Sequence, residues 1–220
     1  MTTTQVFNIF DILQDKYGAP YFDPAWKVEL FNQAQYDYLH DLLPEEGGDL
    51  VNYEFDENIT TTIQPLIWSV VVNMNNSGLL PQTTLDTAIQ TASGDATASF
   101  FKILSIGVSS SGNTYPVQYI KYNNLRAFQA NVFKQPKFPT NVRYTFVGNG
   151  IQFYPTFATP ALTISVIKNP RKIAITPSNI DPEWSDYVCY NIIVKMLKLA
   201  GIATNAEELI NDIRVSGTAQ

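Results

Sequence analysis

Long helical periodicity marks the two ends of this chain, and most of the stretch between them is written in strand and turn chemistry. Near the start, Val6, Ile9, Phe10, Leu13 and Tyr17 recur at i, i+3, i+4, i+7 and i+11, which predicts a helix from about Thr4 to Tyr17. Gly18 stands where a C-terminal cap belongs, and Pro20 prevents continuation. Asp23-Pro24-Ala25-Trp26 then reads as an N-cap with Pro in the first turn. The helix it opens should run to about Leu43, with Trp26, Leu30, Phe31, Ala34, Tyr38 and Leu42 on its broad apolar side. A second Asp-Pro-x-Trp start, Asp181-Pro182-Glu183-Trp184, predicts a helix to about Ala200, with Cys189, Ile193, Met196, Leu197 and Ala200 on one face. Thr204-Asn205-Ala206-Glu207 has the capping-box pattern of a last helix to about Arg214. Matching stripes at both ends imply one shared helical lobe, with Trp26 and Trp184 buried near their helix starts.

From Thr60 to Lys172, short β-branched and aromatic runs alternate with clusters of Gly, Ser, Asn and Pro. Strands are expected at Leu66–Asn73, Ser99–Val108, Tyr115–Tyr122, Val142–Val147, Ile151–Tyr154 and Leu162–Lys168. Ser109 to Asn113 should make a hairpin loop, and Gly148-Asn149-Gly150 a tighter one. Leu85, Ala88 and Ile89 suggest a short helix within Leu79–Ala98. The expected class is α+β: a helical lobe from residues 1–58 and 181–220, and a sandwich-like β-rich domain from 59–180.

The chain offers little to catalysis. It has one histidine, His40, and one cysteine, Cys189, too few for the common metal sites or a disulfide. A Ser-His-acid triad would have to use His40, yet no Gly-x-Ser-x-Gly elbow exists, and no Gly-rich phosphate loop is present. These residues therefore predict no enzyme, no cofactor and no metal. Nothing resembles a signal peptide, and the longest apolar stretches, such as Leu66–Val72, are too short to span a bilayer, so no membrane partner is expected.

Charge is segregated along the chain. Residues 1–101 hold 14 carboxylates against Lys16 and Lys27, whereas residues 102–220 hold 12 Lys and Arg against 6 carboxylates. From Lys102 to Ile180 there is no carboxylate at all. Candidate contact residues here are Lys121, Arg126, Lys134, Lys137, Arg143, Lys168, Arg171 and Lys172. Their acidic counterparts are Glu45, Glu46, Asp49, Glu54, Asp56 and Glu57, in a loop around Gly47-Gly48. Three arrangements use this pattern: acids and bases facing each other in one monomer, a head-to-tail contact between copies, or a basic lining for a DNA channel.

Taken in order, the segments resemble a known class. Val6-Phe7-Asn8-Ile9-Phe10-Asp11-Ile12-Leu13-Gln14-Asp15-Lys16-Tyr17, then Ala19-Pro20-Tyr21-Phe22, then Phe31-Asn32-Gln33-Ala34-Gln35-Tyr36 resemble head-to-tail connector proteins of crAss-like and related short-tailed phages. Phe138-Pro139, Gln152-Phe153-Tyr154-Pro155 and Ile164-Ser165-Val166-Ile167-Lys168-Asn169-Pro170-Arg171-Lys172 extend the similarity through the middle. Leu66 to Ala98 matches least. The resemblance implies a structural virion subunit assembled in the bacterial host cytoplasm as a homo-oligomeric ring of about twelve. Its partners would be the portal protein, other ring or tail proteins and, non-specifically, genomic DNA. A carbohydrate-binding tail module would also be β-rich, but would not need two terminal helical segments. A carboxylate-based hydrolase would need two acids converging in a cleft.

Overall fold

The computed structural model describes residues 1–43, 57–74, 77–131, 134–148, 150–156, 161–175 and 179–202. Helices lie at both ends and strands between, so the chain is of the α+β class. It divides into two units, one holding the described residues of 1–45, 57–65 and 170–220, the other those of 66–169. The expected helix over Thr204–Arg214 lies outside the described residues.

In the first unit, α1 (Thr3–Lys16) and α2 (Pro24–Leu42) both pack on α6 (Asp186–Leu199), with α3 (Glu57–Ile63) completing its described helices. A capping box starts α1: Thr2 accepts from the Gln5 backbone, and the Gln5 side chain returns the bond to the Thr2 N–H. Asp23 caps α2, its carboxylate accepting from the N–H groups of Ala25 and Trp26 at 2.7 and 3.1 Å. The buried stripe of α2 is Lys27, Leu30, Phe31, Ala34, Gln35 and Leu39. That stripe is displaced by one residue from the one anticipated at its start. Trp26 is 58% exposed rather than buried, because Lys27 takes the inward position.

The second Asp-Pro-x-Trp sequence does a different job from the first. Helix α6 begins five residues after Asp181, at Asp186, with Ser185 as N-cap. Asp181 instead accepts from the backbone N–H of Thr3 at 2.8 Å, satisfying a donor that α1 leaves unpaired at its own start. The Thr3 hydroxyl donates to the carbonyl of Ile180, also at 2.8 Å. Trp184 turns inward, is 3% exposed, and meets Tyr38 edge-on at 5.9 Å between centroids.

The second unit holds two four-stranded sheets. One has the order β1 (Ile67–Asn73), β8 (Ala161–Lys168), β3 (Phe100–Ser110), β4 (Asn113–Pro116), all antiparallel. The other runs β2 (Leu79–Pro81), β7 (Gly150–Tyr154), β6 (Arg143–Val147), β5 (Gln118–Tyr119), with β5 and β6 parallel. Inward residues of both sheets, including Val70, Val166, Tyr144 and Phe153, join Leu85 and Ile89 of α4 (Gln82–Ser93) in one buried cluster. Strand alternation supplies this core: in β1, Val70 and Val72 point in while Ser69, Val71 and Asn73 point out. The hairpin anticipated over Ser109–Asn113 is present but tighter: the strands extend to Ser110 and from Asn113, leaving Ser111 and Gly112, both at positive φ, as a two-residue turn. Gly150 has a steric reason, since a Cβ there would come within 2.7 Å of the Leu80 carbonyl oxygen. The single strand expected over Tyr115–Tyr122 is divided between β4 and β5, which belong to different sheets, and helix α5 (Tyr122–Ala130), which the sequence reading did not anticipate, follows it.

Candidate functional site

Five cations of the carboxylate-free stretch lie on α5 and β6 or in the segments adjoining them in sequence. Lys121 immediately precedes this helix, Arg126 lies exposed on it, Lys134 and Lys137 are exposed in the connection that follows, and Arg143 opens β6. Two of these cations share one ring. The Lys134 ammonium lies 6.0 Å and the Arg143 guanidinium carbon 5.4 Å from the centroid of Phe128. Asn141 and Gln118 fix the guanidinium from the other directions. Its Nε donates to Asn141 Oδ1 at 3.0 Å, and an Nη donates to Gln118 Oε1. Asn141 is itself held in place by donating to the carbonyl oxygens of Lys134 and Gln135 at 3.3 and 3.0 Å.

Arg143 is thus half-buried with neutral partners only. Partial desolvation lowers its pKa from the ordinary arginine value. Among the described residues, no salt bridge reaches Lys121, Arg126, Lys134, Lys137 or Arg143. The same stretch of chain also exposes two aromatic residues, Tyr122 at 65% and Phe146 at 42%. In the core, Tyr144 packs against Tyr119 and Phe153 at 5.5 and 6.1 Å between centroids. Burial pushes the Tyr144 phenol far above its usual range, which keeps it neutral.

The other sequence candidates fall elsewhere. Lys168, expected at a contact surface, is fully buried at the end of β8, a central strand flanked on both sides. Lys102 of β3 is buried as well. Arg171 and Lys172 belong to the first unit. The backbone of Arg171 is tied down there, its N–H donating to Glu183 at 3.1 Å and its carbonyl accepting from Gln35 at 3.1 Å. Glu45, Glu46, Asp49, Glu54 and Asp56 lie outside the described residues, as does the side chain of Glu57. His40 is exposed in the last turn of α2. Cys189 is buried in α6, where desolvation pushes its thiol up to about 11. No group of three or more His, Cys, Asp or Glu able to hold a metal occurs among the described residues. None of the described helices is long and apolar enough to cross a membrane.

Sequence reasoning did not find the polar clamp of the first unit. Asn32 Oδ1 accepts from the Ile173 N–H at 2.9 Å, and Asn32 Nδ2 donates to the Ile173 carbonyl at 3.2 Å. Gln35 accepts from the Trp184 indole while donating to Arg171 and Asn32. The available signal was two amides three residues apart on the face that α2 buries.

No family model matches the chain, and the search of curated proteins found no match.

Proposed function

We propose that this chain is a non-enzymatic structural subunit of a short-tailed phage particle. It forms a ring between capsid portal and tail that helps attach the tail and retain or pass the genome. The observation that carries this reading is the set of five cations around α5 and β6, none bridged to a carboxylate among the described residues. One of them, Arg143, is partly desolvated and held in a fixed geometry by Phe128, Asn141 and Gln118. A guanidinium kept in that state gains most when a carboxylate or phosphate arrives.

The acid-rich segment Glu45–Glu57 of a neighbouring copy is the favoured arrival. Acids and bases segregated along one sequence make the two ends of a head-to-tail contact complementary, and a contact of this kind builds a ring when the rotation between copies closes. DNA in the channel is the second reading, supported by the aromatic residues Tyr122 and Phe146 exposed in the same segment. Negative-stain imaging of the purified protein, alone and mixed with phage portal, tests the proposal. Rings, or portal complexes extended by one ring, are expected. A protein that stays monomeric and ignores the portal overturns it.

A further inference from the structure

A row of three side chains crosses the sheet that holds β5, β6 and β7. Register pairs Gln118 with Arg143 and Arg143 with Tyr154, so the three share one face. Their neighbours in sequence, Tyr119, Tyr144 and Phe153, belong to or pack against the buried cluster, so the row lies on the opposite face. Helix α5 adds two rings to it. Phe128 lies 5.4 Å from the Arg143 guanidinium carbon. Tyr122 lies near Tyr154, whose phenol pKa is raised first by burial and then by the Tyr122 charge. Lys134 shares the Phe128 ring at 6.0 Å, so three rings and two cations meet at this place.

Arg143 still has donors to give. A guanidinium carries five N–H groups, and here Nε serves Asn141 while one Nη donor serves Gln118. These two bonds fix its orientation, and no salt bridge reaches it among the described residues. The remaining Nη donors form the fork that grips a carboxylate through two parallel bonds. A ligand suited to this site brings an acid for the fork and apolar surface for the rings.

The acid-rich segment Glu45–Glu57 contains acids of two kinds. Glu45-Glu46 has no ring beside it and leads into Gly47-Gly48. Tyr53-Glu54-Phe55-Asp56 alternates ring and carboxylate, a four-residue pattern that occurs nowhere else in the chain. In an extended segment this alternation puts both acids on one side and both rings on the other. The shorter run Tyr36-Asp37-Tyr38 is already committed within α2, where Asp37 accepts from Gln33 at 2.8 Å and Tyr38 packs on Trp184. We infer that the Arg143 site takes Tyr53-Glu54-Phe55-Asp56 of a neighbouring copy, a carboxylate on the guanidinium fork and the rings against Phe128, Tyr122 and Tyr154. This rests on the ring reading and narrows it, assigning the contact to one run of residues rather than to acidity as such. Single-stranded DNA is the competing ligand, since it offers a phosphate to the fork and bases to the rings.

Charge-matched variants of the full-length chain test it by sedimentation. Glu54→Gln with Asp56→Asn removes two charges, and so does Glu45→Gln with Glu46→Gln. The first pair should weaken association about tenfold or more, the second by less than about threefold. Tyr53→Ser with Phe55→Ser keeps every charge and should also weaken association about tenfold. A synthetic peptide of residues 49–57 should bind the dilute protein, and its Glu54→Gln form about tenfold more weakly, with no folding of a variant involved. Arg143→Lys, which keeps the charge but loses the fork, should weaken peptide binding by a similar factor. Equal losses from the two acid pairs, or full association without the two rings, would overturn this inference and leave a contact through charge alone. A site that ignores the peptide and takes a single-stranded oligonucleotide would overturn it in favour of DNA. Parent protein that binds the peptide yet never associates would remove the ring reading along with it.

Discussion

The indole Nε1 of Trp184 donates to Oε1 of Gln35 at 3.2 Å, joining the segment before α6 to the buried face of α2. Gln35 is fully buried and serves three partners, so its loss strands the Trp184 N–H and the Arg171 carbonyl. Gln35→Leu should destabilise the protein by about 2–3 kcal/mol, the range for buried polar groups left unpaired. Gln33→Leu, at an exposed position two residues away, should stay within about 0.5 kcal/mol. Urea denaturation checks both, and equal effects would mean that the clamp contributes nothing specific.

A second test concerns the ion pair between buried Lys27 and partly exposed Asp11. The Lys27 ammonium, its side chain 3% exposed, meets Asp11 and also lies 4.6 Å from the centroid of the Tyr21 ring. Asp11→Asn should cost about 2–3 kcal/mol, below the full penalty for a buried unpaired charge because Asp11 is itself 39% exposed. Adding Lys27→Met removes that orphaned charge and should restore much of the loss. Thermal melts of the single and double variants decide it, and a fully stable Asp11→Asn protein contradicts the account.

Cys189 yields a pH prediction. Burial raises its thiol to about 11 in the fold, whereas an exposed thiol ionises near the ordinary value of 9.0. The unfolded chain therefore loses this proton first, and stability from this group is intact below about pH 9 and declines towards pH 11. Cys189→Ala should flatten that alkaline decline at the expense of roughly 1 kcal/mol of packing. The native thiol should react with a disulfide reagent only as fast as the protein opens. Rapid labelling of the folded protein at neutral pH would refute the burial argument.

Element type was legible wherever local pattern and tertiary burial agree. The stripe Val6, Phe10, Leu13 is buried as the spacing requires, and β1, β6, β7 and β8 fall on the β-branched runs. Misreadings arose where one local signal has two physical uses. Asp-Pro-x-Trp opens α2 at Asp23, but at Asp181 the same chemistry accepts from the start of α1, a partner far away in sequence. Helix α5 buries only Leu125, too little apolar surface to write a helical stripe. The cations were legible as a set, but not that Lys168 would end a central strand while Lys134 and Arg143 would share the Phe128 ring. Strand order and side-chain convergence depend on long-range pairing, which a single sequence does not print.

The central claim is that the cations of α5 and β6 join copies of this chain, and complementary charge reversal tests it most directly. Lys134→Glu, Lys137→Glu and Arg143→Glu together should weaken ring formation, measured by sedimentation at moderate salt, by about tenfold or more. Thermal stability should stay nearly unchanged in the Lys134→Glu/Lys137→Glu pair, because both sites are exposed and no salt bridge is lost among the described residues. Arg143→Glu also breaks the bonds to Asn141 and Gln118 and lowers the melting temperature, so assembly is compared where every variant is folded. Lysines placed at Glu45, Glu46 and Asp49 of the same chain should then partly restore assembly. Rings that form normally in the reversed protein would contradict the claim, and particles built from it that leak DNA would assign the basic face to the channel instead.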